Sequence, residues 1–339
     1  MLREAIALLV EGRHLTQEQA RRAMQSIMAG EATPAQIGSF VTAMRMKGET
    51  VDEITGCAEA MREHAARIQP DVGMLVDTCG TGGDAAGTFN ISTAAAFVVA
   101  GAGVPVAKHG NRSVSSKCGS ADVLESLGVQ IDLPPEAVRA CIEQVGIGFL
   151  FAPRFHASMK HAAGPRRELG IRTLFNVLGP LTNPASAKAQ VVGVYDPALT
   201  EPLARVLGRL GVGQAFVVHG LDRLDEISVT GETQISHLKE GRVETYRFHP
   251  SQVGIPTAPV TAIRGGDAGE NATIVRAVLG GERSPRRDIV LMNAAAALVC
   301  AGAAGDLTEG IRLAAESIDS GEAAKKLAAL VEFTRSAAA

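Results

Sequence analysis

The chain has 339 residues, 46% of them hydrophobic, enough for one large domain with a smaller companion. Its 33 basic and 36 acidic residues leave a formal charge of −3, so no global positive field draws it to nucleic acid. Five cysteines stand singly, at positions 57, 79, 118, 141 and 300, without a C-x-x-C pair; this argues against a disulfide framework or a zinc site and for reduced thiols in a cytoplasm.

The opening Met1-Leu2-Arg3-Glu4 leads into an amphipathic helix rather than a signal peptide. Thr16 with Gln19, Thr33 with Pro34 and Gln36, and Thr50 with Glu53 each have capping-box spacing, so three more helices start there. Ile37, Phe40, Val41 and Met44, then Ile54, Cys57, Ala58 and Met61, recur at helical spacing and give those helices apolar faces for a core or a subunit interface. The first 70 residues therefore read as all-helical.

From Gly73 onward short β-rich runs alternate with Ala/Leu-rich helical stretches: 74–76, 104–107, 190–194, 215–219 and 288–292. Such alternation predicts an α/β fold with a mainly parallel sheet covered by helices. Gly179-Pro180 and Asn183-Pro184 break the pattern. The most apolar stretch, 94–107, is too short to span a membrane and is broken by Gly101, Gly103 and Pro105.

The run 77–84 reads Asp-Thr-Cys-Gly-Thr-Gly-Gly-Asp. Three glycines in four positions at a strand end leave backbone N–H groups uncovered, which suits a phosphate or pyrophosphate. A lone glycine-rich loop is as readily a tight turn. A nicotinamide-binding fold would end its next strand with an acid for the ribose; here that strand ends in Lys108-His109-Gly110-Asn111-Arg112, the opposite sign. The Gly-Lys-Ser/Thr ending of a P-loop is missing too. Between these loops Asn90-Ile91-Ser92-Thr93 opens the apolar stretch 94–100, reading as a helix N-terminus capped by Asn90 or Ser92 and able to attract anions. Strand, loop, helix, strand and loop would bring these groups to one sheet edge, where open α/β sheets bind ligands.

Gly80-Thr81-Gly82-Gly83-Asp84, Asn90-Ile91-Ser92-Thr93, 108–112, 119–125, 166–184 and Asp225-Glu226, taken in order, resemble the anthranilate phosphoribosyltransferase family of tryptophan biosynthesis. The resemblance implies a nucleoside phosphorylase/phosphoribosyltransferase-like fold. Residues 1–70 and about 165–188 would form a small helical domain on the anthranilate side, and 71–164 with about 189–339 the α/β domain. The implied reaction moves the phosphoribosyl group of 5-phosphoribosyl 1-pyrophosphate (PRPP) to the amine of anthranilate. It further implies a PRPP site at Gly80, Gly83, Asp84, Thr88, Asn90, Ile91, Ser92, Thr93, Lys108, Ser116 and Ser120, and Mg2+ as cofactor. Anthranilate would meet Gly80, His109, Asn111 and Arg166, and the subunits would pair as a homodimer through the N-terminal helices.

The chemistry of the residues fits those roles. Charge gathers on the departing pyrophosphate, and Lys108 supplies a compact charge against it. From spacing alone, Asp225 and Glu226 on their loop are solvated or capping a turn; the resemblance makes them, with Ser92, ligands of Mg2+, which takes a few carboxylates besides waters and phosphates. Arg166 can meet a carboxylate with two parallel N–H donors, with Arg167 one step away as the competing residue. His109 reads equally as a hydrogen-bonded loop histidine. No general base stands out, and the neutral aromatic amine does not require one. Cys79 lacks an activating partner and reads as lining the loop. His156 and His161 are five apart, which does not place two metal ligands on one helix face. Two rivals remain at this stage. A pyrimidine nucleoside phosphorylase would carry a nucleobase-reading set where 108–112 and Arg166 stand, and a catalytically silent nucleic-acid binder would need a basic face.

Overall fold

The computed structural model describes residues 1–83, 86–113 and 117–338. Four helices come first: α1 (Leu2–Val10), α2 (Gln17–Met28), α3 (Pro34–Lys47) and α4 (Val51–Glu63). Thr16, Thr33 and Thr50 each accept the N3 amide while Gln19, Gln36 and Glu53 reach back to the cap amide. These boxes satisfy two otherwise orphaned N–H groups at each of the last three starts. Glu53 goes further: fully buried, it also takes the Leu15 amide at 2.8 Å and the Lys47 ammonium at 2.8 Å.

Then come β1 (Val76–Gly80), α5 (Ile91–Gly101), β2 (Val106–Gly110), α6 (Ser120–Leu127), α7 (Pro135–Val145), β3 (Ile147–Phe151), α8 (Ala152–Phe155), α9 (Lys160–Leu169) and α10 (Phe175–Leu181). The rest is β4 (Ala189–Gly193), α11 (Thr200–Arg209), β5 (Gln214–Gly220), β6 (Thr233–Lys239), β7 (Arg242–Phe248), α12 (Ala268–Leu279), α13 (Pro285–Cys300), α14 (Leu307–Asp319) and α15 (Glu322–Ala338). The sheet order is β3-β2-β1-β4-β5-β6-β7, with β3 to β5 parallel and β6 and β7 antiparallel. This is the mainly parallel, helix-covered sheet expected.

One apolar core lies between one sheet face and α5, α12 and α13; a second joins the other face to α1–α4, α10 and α11. Leu174, Phe175, Val177, Leu178 and Leu181 belong to the second core, so the segment broken by Gly179-Pro180 packs with the N-terminal helices. Arg62 of α4 ties this layer together by donating to the carbonyls of Leu181 at 2.7 Å and Leu210 at 3.0 Å.

Four expectations about structure need correcting. The run 288–292 is not a strand but the start of α13, opened by Pro285 at its first turn and buried from Ile289 through Cys300. A helix buried on every side loses the polar stripe that betrays helical period, so its apolar start looks like a buried strand. The strand placed at 74–76 begins at Val76 and runs on to Gly80. Cys79 therefore sits on β1 and packs into the second core instead of lining a loop. Neither Asn90 nor Ser92 caps α5 with its side chain. The β6–β7 hairpin lacks the usual sequence signal because its two-residue turn is Glu240-Gly241, both with positive φ (51° and 75°), rather than Asn-Gly.

Candidate active site

The carboxyl ends of β1, β2, β4 and β5 supply the site. Past Gly80 the chain turns through Gly82 and Gly83 at φ 62° and 78°, a region that side-chain-bearing residues rarely occupy. The Gly82 amide donates to Asp225 Oδ2 at 3.0 Å. Glu226 Oε1 accepts the Ser92 amide, in the first turn of α5, at 3.1 Å. Lys108 Nζ donates to the Thr78 carbonyl and, at 3.4 Å, to Ser92 Oγ. The glycine turn, the helix start, the lysine and the acidic pair thus meet, although residues 82 and 225 are 143 positions apart.

Asp225 reaches this place only because its neighbours make room. A Cβ on Gly193, at the end of β4, would fall 1.6 Å from the Asp225 carbonyl oxygen, and one on Gly80 would fall 2.8 Å from Asp225 Oδ2. Asp222 holds the preceding turn, its Oδ2 accepting the hydroxyls of Ser228 at 2.6 Å and of Thr230. From α13, Asn293 accepts the Ile227 amide at 2.9 Å and donates to the Ile227 carbonyl at 3.0 Å, fixing the residue after Glu226.

Lys108 is buried, and burial pulls its pKa below the ordinary lysine value while the charge of Asp77 pushes back most strongly. The donor set of Asp225, Glu226 and the Ser92 hydroxyl is all hard oxygen and fits magnesium. Among the described residues no three His, Cys, Asp or Glu side chains converge as a closed metal cage. An ion here would therefore share its coordination with phosphates and water.

Other sequence-predicted residues fall around this centre. Thr88 forms an antiparallel bridge with Arg264. Asn90 turns its amide to the Cys118 carbonyl at 3.3 Å and accepts Asn271 Nδ2 at 3.0 Å, binding two loops rather than capping α5. Ile91 is buried with its amide on the Phe89 carbonyl at 2.8 Å. Thr93 is buried and, with Lys108, lines a void of about 10 Å³, its hydroxyl without a partner among the described residues. Ser120 starts α6 and donates to the Asn111 carbonyl at 3.3 Å, while Asn111 itself is exposed. Asp84 and Ser116 lie outside the described residues.

On the other side, α9 carries Arg166 half-buried with its guanidinium 5.2 Å from the Phe175 ring centroid, whereas Arg167 faces solvent. Burial lowers the Arg166 pKa, and among the described residues no acidic group offsets it. His109 is buried, its Nδ1 3.2 Å from the Gly179 carbonyl oxygen, and its ring centroid is 5.1 Å from that of His156. Burial holds the two histidines neutral, with pKa values lowered to about 3 and about 4. Helix α10 thus links the two: Phe175 touches Arg166 and Gly179 meets His109. His161 lies instead against Gly30, apart from His156.

Sequence reasoning missed Gly193, Asn293 and Arg172. Arg172 donates to the Gly83 carbonyl and stacks 4.5 Å over the Tyr195 ring, bracing the glycine turn from the α9–α10 segment. Its only signal was membership of the 166–184 block.

Two domain families cover the chain: the helical bundle domain of the glycosyl transferase family over residues 3–65, and its a/b domain over residues 72–324. An anthranilate phosphoribosyltransferase of Moorella thermoacetica is 60% identical over 339 residues, 100% of both chains. The chain belongs to the anthranilate phosphoribosyltransferase family. Among solved structures, the family member of Thermus thermophilus is 44% identical with a TM-score of 0.93, covering 98% of this chain and 99% of that one. The Saccharomyces cerevisiae member in complex with PRPP and Mg is 30% identical with a TM-score of 0.90, covering 99% and 98%. Among the described residues no helix is long and apolar enough to cross a membrane.

Proposed function

We infer that this chain transfers the phosphoribosyl group of PRPP to the amine of anthranilate, giving N-(5-phosphoribosyl)anthranilate and pyrophosphate in tryptophan biosynthesis. The observation that carries this reading is the meeting of Asp225 and Glu226 with the Gly82 amide, the start of α5 and Lys108. The Gly82 and Ser92 amides already donate to anionic oxygens, which is what a diphosphate offers. Magnesium, held by Asp225, Glu226 and Ser92 Oγ together with phosphate oxygens, would neutralise charge on the leaving pyrophosphate.

The bond from the anomeric carbon to the pyrophosphate oxygen breaks, and the amine lone pair forms the new C–N bond on the opposite face, with inversion. The extra proton leaves afterwards to solvent or pyrophosphate. Lys108 and the Gly80–Gly83 amides oppose charge on the departing group, and positioning supplies much of the remaining acceleration. PRPP would lie along Gly80, Gly83, Asp84, Thr88, Asn90, Ser92, Thr93, Lys108, Ser116 and Ser120; the Ile91 amide, already bonded, serves through the helix end. Arg166 takes the anthranilate carboxylate: a half-buried guanidinium with no acidic partner among the described residues is matched to an anion. His109 and Asn111 complete that side.

We further assign residues 1–70 and about 165–188 to a helical domain through which two copies pair, and 71–164 with about 189–339 to the α/β domain. The protein belongs in the cytoplasm, a placement supported by five buried cysteines that form no disulfide. Mixing the protein with anthranilate, PRPP and magnesium should quench anthranilate fluorescence with time, and omitting magnesium should stop it. Phosphorolysis of thymidine or uridine in place of that signal would overturn the assignment.

A further inference from the structure

Strands β1 and β2 are paired only at Val76 and Val106, although β1 continues its ladder with β4 to Gly80 and β2 its ladder with β3 to Gly110. Backbone groups facing this gap need other partners. Side chains provide them. The His109 amide donates to Asp77 Oδ1 at 3.2 Å, the Ala107 carbonyl accepts Asn183 Nδ2 at 2.9 Å, and the Thr78 carbonyl accepts Lys108 Nζ. Asp77 Oδ2 also accepts Asn183 Nδ2 at 2.8 Å and Gln190 Nε2 at 3.4 Å. Asp77 is fully buried, and these neighbours are all donors, the arrangement an acceptor-only carboxylate requires.

Asp77 therefore stands at a joint. Through His109 and Asn183 it reaches the segment that carries Gly179 and α10, the anthranilate side; on the opposite face of the opened strands Lys108 serves the diphosphate. We propose that Asp77 is a positioning residue that keeps β1 and β2 apart at their carboxyl ends and thereby sets the distance between the Lys108 and His109 sides of the site. It touches neither substrate. Its loss would misplace the two halves relative to each other, which is felt when both substrates are bound and the amine must approach the anomeric carbon.

The inference rests on the phosphoribosyl transfer proposed above. In Asp77→Asn the amide places a donor among donors. We expect kcat to fall on the order of 10- to 100-fold per active site, counted by PRPP·Mg2+ binding stoichiometry, while the KM for PRPP moves less than about threefold. Gln190→Met removes one donor to the same carboxylate but leaves the Asp77–His109–Asn183 link, and its kcat should stay within about threefold of wild type. A merely structural carboxylate would lower the melting temperature and the number of active sites in both variants without changing turnover per site, and that result overturns the proposal. Should Asp77→Asn not fold, Asn183→Ala breaks the same link from the other end; unchanged kcat there overturns the proposal, and a kcat-selective loss supports it. Absence of transfer by the wild-type protein refutes the functional reading itself, and this inference with it; wild-type transfer with full turnover in folded Asp77→Asn refutes only the role of Asp77.

Discussion

The two sides of the site solve opposite problems. On the side proposed for the diphosphate most polar groups engage one another, the Thr93 hydroxyl excepted among the described residues: the glycine turn and the α5 start are bonded to Asp225 and Glu226, and Lys108 to Thr78 and Ser92. On the side proposed for anthranilate more of them are left open: Arg166 lacks an acidic partner and the Nε2 atoms of His109 and His156 are buried and unsatisfied among the described residues, although His109 Nδ1 meets the Gly179 carbonyl. Strongly charged ligands must displace or share existing partners, so the protein holds that side together with its own carboxylates. A small aromatic acid brings one charge and one flat face, and a site kept rigid but unsatisfied gains the most from receiving it.

The contrast can be broken by experiment. Asp225→Ala removes an acid that bonds the glycine turn and is proposed to hold magnesium; kcat/KM should fall on the order of 100- to 1,000-fold, with a steeper magnesium requirement. A loss of only a few-fold would show that the diphosphate side is not built around this loop. Arg166→Ala should raise the KM for anthranilate on the order of 10- to 100-fold while leaving that for PRPP nearly unchanged. Equal losses for both substrates would erase the division into two sides.

The buried histidines sharpen the comparison through pH. Their folded pKa values of about 3 and about 4 lie below the ordinary 6.5, so unfolded chains bind protons first as pH falls. The stability they contribute is complete above about pH 6.5 and is lost as pH falls from there through about 4 for His156 and about 3 for His109. Urea unfolding at pH 7 and pH 5 should show this loss, and His156→Leu should flatten part of it; parallel profiles would remove the histidine pair as its source. The smallest effect belongs far from either side. Thr33→Ala, at the α3 cap, should cost about 1 kcal/mol of stability with kcat unchanged. A change in kcat there would mean that the helical bundle transmits strain to the site.

Much of this was legible before any coordinates. The capping boxes at Thr16, Thr33 and Thr50 and the strand-loop-helix order around Gly80 were readable, because they depend on residue type and local spacing; the role proposed for Arg166 came from the family resemblance, since spacing alone does not separate it from an exposed helix charge. Asn90 misleads for the same reason: locally it is an ideal cap, yet Cys118 and Asn271 take its side chain.

By itself the sequence determined the helical first 70 residues, the alternation that builds a parallel sheet, and the glycine-rich turn at a strand end, since each follows from periodicity, capping chemistry or residue type within a few residues. Only the tertiary structure decided that Gly193 must lack a side chain for Asp225 to approach, that Asn293 on a buried helix fixes the acidic loop, and that Asp77 fills an opened ladder. Those depend on contacts between segments 30 to more than 100 residues apart, where neither propensity nor spacing carries information.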